Sequence, residues 1–127
     1  WTGMNDLRSD GQPPPVVVER VTRVMDMVRA RFPDVPVAVV GIPPQCDTKP
    51  PGLESLHWVN QKVKEAAEAR GMAFVDADRP PLNTPEGQLA PGVAARDRKH
   101  QNLAGYGLLA KWIREEGGAA GAALTPP

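Results

Sequence analysis

One cysteine, Cys46, stands among 127 residues. A single thiol excludes an internal disulfide and a cysteine-built metal site, and no basic neighbour marks it as an activated nucleophile. Long apolar runs are also missing. None approaches the ~18 residues a membrane helix needs, and the longest reads as a strand. Charge of one sign is not in excess: 15 basic and 15 acidic residues balance to zero. Nothing therefore steers the chain toward nucleic acid or an anionic membrane. The sequence opens at Trp1 with neither an initiator methionine nor a charged-then-apolar leader, so it does not speak to localisation.

What is present is punctuation around periodic segments. Fifteen prolines are many for this length, but they cluster between the periodic stretches, as loop residues should. After "RSDGQPPP", a turn-rich connector (Arg8 to Pro15), the apolar positions Val17, Val18, Val21, Val24, Met25 and Val28 trace one face of an amphipathic helix that Pro33 ends. "VPVAVVGIPP" (Val35 to Pro44) is an unbroken apolar run, expected as a strand buried on both faces. A second helix is expected from about Glu54 to Arg70, burying Leu56, Val59, Val63, Ala66 and Ala67 and stopped by Gly71. "MAFVDAD" (Met72 to Asp78) reads as a second strand. A polar, Pro-rich loop then runs to Asp97, and a last helix near Asn102 buries Leu108, Leu109, Trp112 and Ile113. The tail from residue 117 to 127, rich in Gly, Ala and Pro, has nothing to pack against and is expected to be flexible.

Alternating helices and strands define an α/β protein with parallel strands and right-handed crossovers. Two strands make a very small sheet, however. Independent stability usually needs three or more, with cover on both faces. The order looks like half of a doubly wound domain, with the remaining strands expected before Trp1.

Ligands gather at the carboxyl ends of strands in open α/β sheets. Three polar segments should lie there: Asn5 and Asp6, after a strand containing Trp1; the loop after Ile42; and "DRKH", Asp97 to His100. The Asp97–His100 spacing can set a carboxylate against the imidazole Nδ1 and leave Nε2 free to act as a base. An Asn amide on a neighbouring loop could donate to a developing oxyanion. Each feature also has a plainer reading. Asp-x-x-His before a helix is often a cap, and Asn-Asp is often a turn pair. His57 reads as a partly exposed helical residue, and Trp58 and Trp112 as core or lid packing. A metal site from His57, His100 and Asp97 has no ligand-pair spacing to support it.

Taken together these residues resemble the SGNH (GDSL) hydrolase family. "GMND" (Gly3 to Asp6) is similar to its Gly-x-Asn-Asp block, and "DRKHQNLAGYGLLAKWI" (Asp97 to Ile113) is similar to its Asp-x-x-His block. The resemblance extends over residues 1 to about 116, which would make that span the C-terminal part of an SGNH-type domain. It implies a flavodoxin-like, three-layer α/β/α doubly wound parallel sheet whose N-terminal strands are missing from this chain. It also implies roles: His100 as general base, Asp97 as the acid that orients it, Asn5 as oxyanion donor, and Gly3 and Asp6 as structural residues of the Asn block. Arg98 departs from the pattern, where glycine is common, and Arg98 and Lys99 put two cations beside the histidine.

The larger departure concerns the nucleophile. The family's Gly-Asp-Ser block precedes its Asn block, so the attacking serine would lie upstream of Trp1. Ser9 and Ser55 are the only serines; Ser9 sits in a turn, and Ser55 reads as a helix cap. The expectation is an ester hydrolase of Ser-His-Asp type whose serine is outside this chain. It would act on a small-molecule ester with no cofactor and no metal, with an N-terminal segment or chain completing it. The competing expectation is a catalytically inactive α/β binding or interaction module derived from the same family.

Overall fold

Prolines open the first long helix rather than merely preceding it. In the computed structural model, which describes residues 4–8, 11–45 and 52–124, α1 spans Met4–Arg8 and α2 spans Pro14–Arg31. Proline suits the first turn because its missing N–H has no acceptor there and its φ is already helical. The connector expected to end at Pro15 therefore ends one residue before Pro14. Strand β1 is Ala38–Val40, α3 is Gly52–Glu68 and β2 is Ala73–Val75. A single 3₁₀ turn, Pro91–Val93, precedes α4 (Leu103–Glu116) and α5 (Gly118–Ala122).

The two strands pair in parallel, with Ala38, Val39 and Val40 opposite Ala73, Phe74 and Val75. Both are shorter than the apolar runs that contain them. Beyond the three paired residues the ladder adds one bond at each end, from the Ala73 N–H to the Val37 carbonyl and from the Gly41 N–H to the Val75 carbonyl. The rest of each run is apolar because it is buried, without being strand. Ile42, Met72 and Ala77 are all 3 % exposed or less.

Alternation along the strands divides the core in two. Val39 and Phe74 face α2 and α3, whose Val17, Val21, Met25, Leu56, Val59 and Val63 form one cluster. Val40 and Val75 face α4, with Leu109, Trp112, Leu82 and Leu89 in the second. Helices thus lie on both faces of a parallel sheet, as a three-layer α/β/α architecture requires. Each fully buried Val or Leu contributes about 1.5–3 kcal/mol relative to exposure. Of the α2 face expected from sequence, Val24 remains 47 % exposed. On α4, Leu108 and Ile113 are only half-buried.

Asn60 ties α3 to the chain just beyond β1. It occupies the apolar stripe of α3 and is 7 % exposed. Its Oδ1 accepts from the Ile42 N–H and its Nδ2 donates to the Ile42 carbonyl, both at 2.8 Å. The carboxyl end of β1 is thereby capped by one side chain. Losing it would strand a buried donor and a buried acceptor, each costing roughly 1–3 kcal/mol.

Residues 117–122 pack where the sequence offered no obvious partner. α5 lies against α4 and approaches β1, and Gly121 is buried. Glycine permits this contact. A Cβ at Gly121 would come within 2.1 Å of the Ile113 carbonyl oxygen, and one at Gly117 within 2.3 Å of the same atom. Small residues read as a sign of a loose tail are here the condition for close helix packing.

Candidate active site

Topology gathers the polar segments on one side of the sheet. A loop leaving a parallel strand emerges at its carboxyl end, so Gly41–Gln45 and the segment after Val75 share that side. α2 leads into β1, so its N-terminus, and α1 before it, also lie there. The loops touch: the Leu89 N–H donates to the Gln45 carbonyl at 3.4 Å.

Asn5 and Asp6, expected in a loop, lie in the short helix α1, and the strand expected to contain Trp1, like Gly3, lies outside the described residues. Asn5 is exposed. Asp6 receives Arg20 of α2 at 2.5 Å, and its carbonyl accepts from the Gln12 N–H at 2.8 Å. Those two bonds fix how α1 joins α2. Among the described residues no hydrogen bond joins Asn5 to Asp97 or His100. Ser55, read as a cap, is instead in the first turn of α3, because the helix begins at Gly52.

Asp97 and His100 are brought together. The Asp97 Oδ2 lies 2.6 Å from the His100 Nδ1, and its Oδ1 accepts from the backbone N–H groups of Lys99 at 2.9 Å and His100 at 3.0 Å. Three donors on one carboxylate hold its pKa well below the usual range, the imidazole being the largest cause and the two amides next. Since the carboxylate accepts, Nδ1 carries a proton, and in the neutral ring Nε2 holds the lone pair. The His100 side chain is 66 % exposed, so Nε2 is open to a reacting group.

The backbone builds this geometry. A β-turn closes from the Arg98 N–H to the Ala95 carbonyl at 3.0 Å, and the Ala95 N–H donates to the His100 carbonyl at 2.8 Å. Between them Arg98 takes φ +60°, the left-handed region. Such a conformation costs a non-glycine residue roughly 1–2 kcal/mol, which is a physical reason for glycine to be favoured there. Asn102 then caps α4. Its Oδ1 accepts from the Gly105 N–H at 3.1 Å, while its Nδ2 reaches the carbonyls of Gly92 and Ala94 at 3.0 and 3.2 Å. The turn is thus fastened both to the helix behind it and to the 3₁₀ segment before it.

A second histidine–aspartate pair escaped the sequence reading. His57 Nε2 lies 2.9 Å from the Asp78 Oδ2, and the Asp78 side chain is only 7 % exposed. Asn83 donates to its other oxygen at 2.9 Å, and Asp76 accepts from the Asp78 N–H at 2.8 Å. Burial raises the Asp78 pKa, outweighing the Asn83 hydrogen bond and the His57 charge that lower it. The available signal was two acids immediately beyond a strand's carboxyl end. Trp58, the next residue, is 42 % exposed and packs into neither cluster, whereas Trp112 is buried beneath the Arg79 guanidinium, 4.3 Å from its ring centroid. Among the described residues no three His, Cys, Asp or Glu side chains converge as a metal site would require. No helix among them is long and apolar enough to cross a membrane.

The chain belongs to the GDSL-like Lipase/Acylhydrolase family, whose sequence model matches residues 1–108. Both the Asn5 block and the Asp97–His100 turn fall within that match. No curated protein matches the sequence. A solved structure described as "a putative platelet activating factor from Streptococcus pneumonia" superposes with a TM-score of 0.72 at 23 % identity. The match covers 87 % of this chain but 54 % of that one, so the chain spans about half the length of its structural neighbour. At that identity the likeness speaks for the fold, a partial SGNH-type α/β/α sheet.

Proposed function

We propose that this chain supplies the base, its orienting acid and one oxyanion donor to a hydrolase of lipase/esterase type, and that the attacking serine lies outside it. The observation that carries the reading is the His100 Nδ1–Asp97 contact of 2.6 Å, with no partner for Nε2 among the described residues. Family membership supports the reaction class.

In the proposed reaction the serine Oγ attacks the ester carbonyl as His100 Nε2 takes the hydroxyl proton. Asp97 stabilises the resulting imidazolium without taking its proton. Asn5 donates to the oxyanion of the tetrahedral intermediate. Collapse breaks the ester C–O bond, and Nε2 returns the proton to the departing alkoxide, leaving an acyl-enzyme. Water then attacks the acyl carbon with Nε2 again as base, releasing the acid and the free serine.

The test compares the uninterrupted natural polypeptide with residues 1–127 alone on p-nitrophenyl acetate. The expected result is turnover with burst-phase acylation for the former and none for the latter. Rapid turnover by the 127-residue chain, abolished by His100→Ala, would falsify the placement of the nucleophile. Absence of turnover by the full polypeptide would leave the non-catalytic binding module as the better account.

A further inference from the structure

Beside the Asp97–His100 turn lies a cavity of about 370 Å³. Leu89, Pro91, Ala94 and Ala95 line it together with the polar Thr84 and Gln88, and Arg96 and Arg98 line it from the turn itself. No acid shares the lining. The two guanidiniums differ from those of four other arginines. Arg20, Arg70 and Arg79 are each paired with a carboxylate, and Arg29 donates to two carbonyls. Among the described residues neither Arg96 nor Arg98 has an acid or a carbonyl partner. Arg98 moreover occupies a backbone position, φ +60°, that glycine would fill with less strain.

From this we infer that the cavity binds the carboxylate of an anionic ester, so that the substrates of this site are half-esters of dicarboxylic acids rather than neutral esters. The proposal rests on the hydrolase reading of the Asp97–His100 turn and adds to it the substrate class. Guanidiniums are suited to the task, since their planar N–H forks match carboxylate geometry. The apolar side chains in the lining accommodate the methylene spacer between the anchoring carboxylate and the scissile ester. The cavity shares its wall with the turn that presents His100, which places recognition and base within one short segment.

The test uses the natural polypeptide and two esters of similar length, mono-p-nitrophenyl succinate and neutral p-nitrophenyl butyrate. The expected kcat/KM ratio favours the half-ester by about tenfold or more, through KM, and declines at high salt. Arg96→Gln with Arg98→Gly should lower that ratio about tenfold. Glycine suits φ at 98, so this variant should fold, and Arg98→Lys, which keeps the charge without the planar fork, should keep only part of the preference. A ratio that the double variant leaves unmoved overturns the proposal while leaving the hydrolase reading intact. If neither ester is hydrolysed, the hydrolase reading fails separately, and the same polypeptide is titrated with monomethyl succinate. Saturable NMR shifts at residues 94–98, lost in the double variant, would uphold the cavity as a carboxylate site. Absence of saturation would overturn it.

Discussion

Two histidines in this chain face aspartates on the same side of the sheet, and they differ in which nitrogen is used. His100 offers Nδ1 to an exposed carboxylate that is already held by two backbone amides. His57 offers Nε2 to a carboxylate that is almost fully buried. The first arrangement leaves the nitrogen farthest from the backbone available for chemistry. The second uses that nitrogen to fasten α3 to the segment after β2. A His–Asp contact is therefore not by itself a catalytic signature. The engaged nitrogen and the exposure of the acid decide what the pair can do.

Mutation should separate the pairs most sharply at the histidines. In the natural polypeptide, His100→Ala should lower kcat/KM for an aryl ester by about 10³-fold, as expected for loss of a general base. His57→Ala should change it less than about threefold. Equal losses in the two variants would dissolve the distinction. A smaller effect is expected at the acids. Asp97→Asn would place an amide donor against Nδ1 and favour the wrong tautomer, costing on the order of 10²-fold or more in kcat. Asp78→Asn should again leave kcat within about threefold, since Asn83 keeps an acceptor there.

Stability should distinguish the acids in the opposite sense. Burial raises the Asp78 pKa, so between ~pH 4 and that raised value the folded chain holds a proton that the unfolded chain releases. Its contribution to stability falls as pH rises through that window, and Asp78→Asn should flatten this part of the curve in urea titrations. Asp97 is lowered by its three donors, so its contribution is present above ~pH 4 and is lost as pH falls through the depressed value. The smallest effect sharpens the comparison most directly. Carboxyl ¹³C titration should put the Asp97 midpoint below ~3.9 and that of Asp78 above it. Midpoints on the same side would contradict the assignment of environments.

Helix and strand order was legible because burial leaves a periodic trace. The Val17–Val28 stripe and the Leu56–Val63 stripe both mark helices that pack on the sheet. Element ends were less so. Pro14 begins α2 because proline is compatible with a first turn, a fact that a count of breakers overlooks. The strands came out shorter than their apolar runs, since hydrogen bonding and burial have different limits. Of the site, Asp97 and His100 were legible from a three-residue spacing. Asp78 was not, because its partner lies on another element. Nor could sequence show that Arg98 is held at positive φ, since that follows from the turn closing around it.

Asn60 carries a consequence for how this chain tolerates change. Its amide satisfies one donor and one acceptor of the same residue, Ile42, at matched distances. Aspartate would turn a lone pair toward the carbonyl, serine falls short of one partner, and leucine meets neither. A survey of all substitutions scored by activity should therefore find position 60 nearly as intolerant as position 100. Soluble yield would separate the two, with the position 100 variants accumulating as folded, inactive protein and the position 60 variants failing to accumulate.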